Sequence, residues 1–242
     1  YYYENNVGKA TTCVRTLSER GVKRVLLSST AAMYVPGEDL MVTEQSTADP
    51  SSPYAASKWM LERVLADAAS AGLIRAISLR YFNPIGADPQ LRTGLQNPAP
   101  SHALGKMISA YQADEPFTVT GVDWPTRDGS GLRDYVHVWD LARAHVAALK
   151  AEASALADYE VINLGTGQGT TVFELADAVG EATGKPLEVR TAPPRDGDVV
   201  GCATRTEKAE QLLGWRAEYT VADGVRHSLA WAEKLPEVLA QR

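Results

Sequence analysis

Tyr54 and Lys58 stand four residues apart in the segment Tyr54-Ala55-Ala56-Ser57-Lys58. On a helix, residues at i and i+4 project from one face. An ammonium beside a phenol favours the phenolate and draws its pKa from about 10 toward working pH, which would make Tyr54 a general base or acid. By spacing alone the same pair also fits two exposed residues on a helix surface. The surroundings add weight, because a short apolar run ends in Ser28-Ser29-Thr30 one helix and loop earlier. A hydroxyl there can meet the same substrate oxygen, so that Thr30, Tyr54 and Lys58 form a triad. Without Tyr54, a hydroxyl-rich strand end is what many turns and caps look like.

These residues need elements to carry them. Apolar residues from Val7 to Leu17 recur at helical spacing, Gly21 stops the pattern, and Val25-Leu26-Leu27 reads as a short buried strand. A helix is expected from about Pro53 through Ala71, followed after Gly72 by the strand Ala76 to Tyr81. Such alternation predicts a parallel α/β sheet of Rossmann type. From Asn83 to Ser101 the sequence turns to Pro, Gly, Asn and Gln, as in a long functional loop. Residues 1–83 are therefore expected to form one domain carrying the Tyr/Lys pair, and 84–242 a second, substrate-binding α/β domain partly interleaved with it. The second part is predicted to hold helices near Leu104 to Gln112, from Asp140 (as N-cap) to about Ala151, at Val172 to Thr183 and around Val221 to Glu233. Its strands are expected at Phe117 to Thr120, Tyr135 to Val138, Val161 to Leu164 and Leu187 to Arg190.

The chain has 242 residues, of which 45% are hydrophobic and 22% charged, enough for a sizeable core. A net charge of -6 gives no broad attraction to nucleic acid or anionic membranes and favours a small-molecule partner. Cys13 and Cys202 lie far apart in no metal-binding spacing, which argues against a disulfide scaffold or zinc site and points to a reducing cytoplasm. No apolar run reaches the roughly 18 residues of a membrane span.

Taken in order, the motifs resemble the UDP-galactose/UDP-glucose 4-epimerases of the extended short-chain dehydrogenase/reductase superfamily. The resemblance is carried by Asn5-Asn6-Val7, Ser28 to Tyr34, Pro53 to Lys58, Leu79 to Pro84, Asp128 to Val138, Asn163-Leu164-Gly165-Thr166-Gly167 and Arg195-Asp196-Gly197-Asp198. It implies that Tyr54 and Lys58 are the catalytic pair, that Thr30 orients the sugar, and that Asn5, Ser28, Ser29, Tyr81 and Phe82 join the pair in contacting NAD. Asn83, His102, Arg133, Arg195, Asp198 and Cys202 would bind a UDP-sugar, the arginines gripping its diphosphate with their bidentate forks. No metal is implied. The chemistry would pass through a 4-keto sugar, with the C4 hydride lent to NAD and returned to the opposite face. A homodimer through the Tyr-bearing helix is also implied.

Some positions depart from that pattern. Val35 replaces a glycine, and valine tolerates positive φ poorly. Ser101-His102 stands where some relatives have an Asn pair. Cys202 is either a small side chain leaving room for an N-acetyl group or a buried small hydrophobe. Thr30 is followed by Ala31 and Ala32, where a dehydratase needs an acid or base. The phosphate-binding glycine turn of a dinucleotide fold does not occur, so about 90 residues of such a fold are expected to precede Tyr1. Glucuronate, pentose and N-acetylhexosamine epimerases, a nucleotide-sensing relative, and an inactive fragment stay open as alternatives.

Overall fold

A computed structural model describes residues 1–240. After a π-helical turn at Glu4–Lys9 come α1 (Ala10–Glu19), β1 (Arg24–Thr30), β2 (Met41–Val42), α2 (Pro53–Ser70), β3 (Arg75–Tyr81), β4 (Asn83–Ile85), α3 (Ala103–Ala113) and β5 (Phe117–Thr120). They are followed by β6 (Leu132–Arg133), β7 (Tyr135–His137), α4 (Val138–Lys150), β8 (Tyr159–Leu164), β9 (Thr170–Thr171) and α5 (Val172–Thr183). The chain ends with β10 (Val189–Ala192), β11 (Ala203–Thr204), α6 (Glu207–Leu213) and α7 (Val221–Ala240). Two compact units result among the described residues, one of residues 1–82, 142–165 and 204–216, the other of residues 83–141, 166–203 and the chain from 217 on.

In the first unit β1, β3 and β8 form a parallel sheet in that order, as the alternation of helices and strands predicts. The central strand β3 buries Ala76, Ile77 and Leu79, the near-continuous apolar run expected of a strand covered on both faces. At the edge, β1 keeps Val25 to Leu27 only half-buried. Helix α2 starts where the sequence tells it to: Ser52 accepts a hydrogen bond from the Ala55 amide at 3.1 Å and Pro53 occupies the first turn. It stops at Ala71, beyond which Gly72 takes φ +71°. Leu61, Leu65 and Ala69 bury one stripe of it, and Leu65 packs with Ile74 and Ala76.

A charged pair ties that helix to the sheet. Glu62 and Arg80 are 5% and 8% exposed and meet through two hydrogen bonds, at 2.5 and 3.0 Å. Ser29 donates to Glu62 at 2.5 Å, and Arg80 donates to the Tyr34 hydroxyl at 2.7 Å. Tyr34 in turn donates to Asn163, which donates to Thr204 at 3.0 Å. Ser29 and Arg80 are register partners on β1 and β3 and share a face of the sheet.

The second unit pairs β5 with β10 and β4 with β7 in parallel, and β6 with β9 antiparallel. Ile85, Leu104, Met107, Leu175, Val179 and Val225 anchor its core. Thr171 and Glu174 make a reciprocal capping box at the start of α5. Its most buried titratable ring is His137, whose Nδ1 accepts from the Trp139 amide and whose Nε2 faces His227 Nδ1 at 2.9 Å, with Tyr219 stacked on it.

Two expectations need correction. Asp140 is not an N-cap, because α4 begins at Val138; its buried carboxylate accepts from the Glu218 and Tyr219 amides instead. The strand expected at Leu187 to Arg190 is displaced to Val189–Ala192, in register with Phe117 to Thr120. Among the described residues no helix is long and apolar enough to cross a membrane.

Removing one partner of a buried ion pair strands the other, so Glu62→Gln should cost about 3–5 kcal/mol in urea unfolding. Loss of under half of that would mean the pair is more hydrated than its burial suggests. Burial and the neighbouring His227 hold His137 down at about 4 against an ordinary 6.5. Between those values the unfolded chain binds a proton that the folded chain refuses. Stability should therefore fall as pH drops from about 6.5 toward 4, and His137→Gln should flatten that part of a urea-midpoint-versus-pH curve.

Candidate active site

Helix α2 places Tyr54 in its first turn, Lys58 one turn on and Glu62 a further turn on, so the three share a face. Glu62 is anchored on Arg80, which fixes the rotation of the helix and thereby aims the other two. Lys58 Nζ donates to the Ser28 carbonyl at 2.9 Å, near the carboxyl end of β1. Burial lowers its pKa from the usual lysine value. Tyr54 is 37% exposed, and the edge of Tyr2 meets its ring at 5.8 Å between centroids. Below it the Ser57 hydroxyl donates to the Tyr54 carbonyl at 2.8 Å and accepts from Asn6 at 3.0 Å.

Thr30 and Tyr81 are register partners at the ends of β1 and β3. The Thr30 hydroxyl accepts from the Ala32 amide at 3.1 Å, capping the 3-10 turn Ala31–Met33. The Tyr81 hydroxyl donates to Ser28 Oγ at 2.7 Å and lies 2.6 Å from His145 Nε2. Burial, with the nearby Tyr54, raises the Tyr81 pKa above the ordinary phenol value, against the Ser28 hydrogen bond. A parallel sheet takes its ligands outside the carboxyl ends of its strands, where Ser28, Thr30, Tyr81, Lys58 and Tyr54 are brought together. Ser29 faces the other way, buried against Glu62. Asn5 accepts from Lys9 at 2.7 Å on the π-helical turn, and Phe82 is buried after β3. Val35 is exposed and is not among the positive-φ residues; Leu40, with φ +56°, takes that conformation in its loop.

The other expected ligands belong to the second unit. Asn83 opens β4 beside Tyr135. His102 Nδ1 accepts from the Gly105 amide at 3.1 Å and so serves as the N-cap of α3; burial lowers its pKa. Arg133 donates to the carbonyls of Leu132 and Val200, both at 2.8 Å, and Val199 at 3.2 Å. Arg195 pairs with Asp198 through both Nε and Nη2, and Asp198 also accepts from the Arg195 amide and Thr120. Though burial opposes it, those hydrogen bonds hold the Asp198 pKa below the usual carboxylate value. Cys202 is half-buried, and burial pushes its thiol up to about 11. Asp134 joins two of the sequence motifs, accepting from the Thr166 amide and hydroxyl, both at 2.7 Å, and from the Gly167 amide.

Sequence reasoning missed Glu62, Arg80, Asn6, Tyr2 and His145. Glu62 left a signal, since it continues the Tyr54, Lys58 spacing by another four residues. Arg80 is brought in by strand register, Asn6 and Tyr2 by the π-helical turn and His145 by the docking of α4, none of which a local pattern announces.

Comparison with known proteins gives a consistent picture. Residues 1–165 match the family described as "NAD dependent epimerase/dehydratase family". UDP-glucose 4-epimerase 3 of Oryza sativa subsp. japonica is 38% identical over 240 residues, covering 97% of this chain and 64% of the rice protein. A UDP-glucose 4-epimerase of Rhizobium leguminosarum bv. trifolii is 36% identical over 234 residues, covering 96% of this chain and 71% of that protein. Among solved structures, the UDP-glucose-4-epimerase of Stenotrophomonas maltophila with bound NAD and formylated UDP-arabinopyranose superposes with a TM-score of 0.90 at 33% identity. That match covers 98% of this chain and 71% of the other. The chain thus spans about two thirds of the length of these proteins.

Gly201 adopts φ +94°, and a Cβ there would lie 1.9 Å from the Leu132 carbonyl oxygen and 2.1 Å from Arg133 Nη1. Gly201→Ala should therefore destabilise the chain by about 1–3 kcal/mol, measured as a lowered urea midpoint. An unchanged midpoint would show that the 199–201 segment is not held as described.

Proposed function

Because the chain belongs to the NAD dependent epimerase/dehydratase family, we propose that it carries the catalytic pair and sugar-nucleotide residues of a UDP-glucose/UDP-galactose 4-epimerase. The observation that carries this reading is the Tyr54-Lys58 face of α2, held over the ends of β1 and β3 by the Lys58 to Ser28 hydrogen bond. The similarity to UDP-glucose 4-epimerases over nearly the whole chain supports the substrate class.

The residues present suit NAD at its nicotinamide end. Lys58 spends one of three N–H donors on Ser28, which leaves donors for ribose hydroxyls. Ser28, Tyr81, Asn5 and Phe82 would complete that end. When bound, NAD supplies the acceptor, and later the donor, of the C4 hydride. Tyr54, as phenolate, takes the proton from the sugar 4-hydroxyl while the C4 carbonyl forms, and returns it to O4 once the sugar has turned over. The positive charge of Lys58, one turn along the same face of α2, offsets the negative charge that Tyr54 carries in that cycle. Thr30 offers its hydroxyl to O4. Arg133 and Arg195 anchor the diphosphate, with Asn83, His102 and Asp198 on the nucleotide and Cys202 beside the sugar, so that turnover of the ring is the free motion. Ala31 and Ala32 offer no acid or base for an elimination, which favours epimerisation over dehydration.

The two cysteines are unpaired, in keeping with a cytoplasmic protein. Trp59 and Met60 are exposed on α2, in keeping with a homodimer formed across that helix.

The full-length protein should interconvert UDP-glucose and UDP-galactose in a coupled assay, and Tyr54→Phe should lower kcat by about 10²–10⁴ with little change in KM. Turnover of UDP-N-acetylglucosamine as well would assign the small Cys202 side chain to sugar tolerance. An NAD-loaded protein that converts none of these sugars would sink the reading.

A further inference from the structure

His145 belongs to none of the motifs that suggest chemistry, yet it reaches the reacting face. It projects from α4, and its Nε2 lies 2.6 Å from the Tyr81 hydroxyl, with the two rings edge to face at 5.6 Å. That hydroxyl has a single proton, which goes to Ser28 Oγ at 2.7 Å. Its oxygen is therefore the acceptor toward His145, and Nε2 carries the hydrogen. Ser28 also receives Lys58 on its carbonyl oxygen at 2.9 Å. The two contacts thus meet at one residue, Tyr81 on the Ser28 side chain and the Lys58 ammonium on the Ser28 carbonyl, so that His145 and Tyr81 bear on the placement of the residue that receives Lys58. Helix α4 is itself fixed at its far end, where Arg24 of β1 donates to the carbonyls of Leu149 and Ala151 at 3.0 and 2.8 Å. His145 consequently has a firm base.

We propose that His145 is a positioning residue for this reaction: through the Tyr81 hydroxyl it fixes Ser28, the rest on which Lys58 sits beside Tyr54. It also settles which of two neighbouring phenols reacts. A Tyr81 hydroxyl that donates to Ser28 and accepts from His145 is satisfied as a neutral phenol. Tyr54 stands instead on the Lys58 face of α2, 37% exposed. Environments that push two like groups apart are how one site assigns the acid and the spectator. The proposal rests on the epimerase reading for its kinetic arm alone.

The test uses the full-length, NAD-loaded protein with His145→Leu, His145→Gln, Tyr81→Phe and the His145→Leu/Tyr81→Phe double variant. His145→Leu should lower kcat about tenfold or more while KM for UDP-glucose stays within about twofold. Gln places an N–H near the Nε2 position and should restore most of the rate. The double variant should be no slower than Tyr81→Phe alone, because both changes act through the same hydroxyl. Independently of any substrate, the pH at which Tyr54 ionises, read from the phenolate ultraviolet band against Tyr54→Phe, should rise in His145→Leu by about one unit, a tenfold loss of phenolate. Nitrogen NMR of the His145 ring should show the Nε2–H tautomer, altered by Tyr81→Phe. Wild-type kcat together with an unmoved Tyr54 titration in His145→Leu, or losses that multiply in the double variant, would overturn the proposal. Absence of turnover by the wild-type protein would overturn the epimerase reading instead, and the titration would still decide the part played by His145.

Discussion

A carboxylate and a guanidinium leave water together at little net gain unless every remaining lone pair and proton is met. Glu62 and Arg80 meet that condition through Ser29 and Tyr34, and among the described residues no fully buried side-chain nitrogen or oxygen lacks a partner. The stability derived from such a pair is modest, since an apolar replacement of equal shape can do as well. Direction is what it supplies. Leucines on the buried stripe of α2 would tolerate a few degrees of roll, whereas a two-pronged bond to Arg80 does not. Because Tyr54, Lys58 and Glu62 occupy one face, the orientation fixed at the buried end is delivered to the exposed end two turns away.

How much of this was readable beforehand follows from the range of each interaction. The long helices and the strands β1, β3 and β8 were legible, because periodicity and glycine stops are local. Helix α2 in particular declares itself through Ser52, Pro53 and Gly72. The two-residue strands β2, β6, β9 and β11 were not, since they exist only by virtue of a partner elsewhere in the chain. Asp140 misled for the same reason: an acidic residue near a helix start suggests a cap, and only the fold brings the 218–219 amides to it. Of the candidate site, the Tyr54-Lys58 pair and the hydroxyls at the end of β1 were visible from spacing. Ser29 was grouped with its neighbours although alternation along a strand sends it to the opposite face.

In the second unit the arginines are already engaged. Arg195 is clasped by Asp198 three residues on, around a turn where Gly197 has φ +82°. Arg133 is held by three main-chain carbonyls. A phosphate group approaching either guanidinium has to share or displace those partners. The exchange replaces one charge-assisted contact with another, so it selects for a ligand whose oxygens outcompete a carboxylate. Weakly charged molecules gain little there.

The π-helical turn at Glu4–Lys9 has a consequence of its own. With i to i+5 hydrogen bonding, such a turn holds more residues per revolution than an α-helix. Everything before it is wound back around the axis relative to α1 by about 100° for each added residue. Tyr2 lies on the far side of that wide turn, and Asn6 within it, so the ring against Tyr54 and the amide on Ser57 owe their bearings to one surplus residue. The segment behaves as a phase-shifter: apart from Asn5 and Asn6, whose side chains are engaged, it is the count of residues in the turn that sets where its neighbours point.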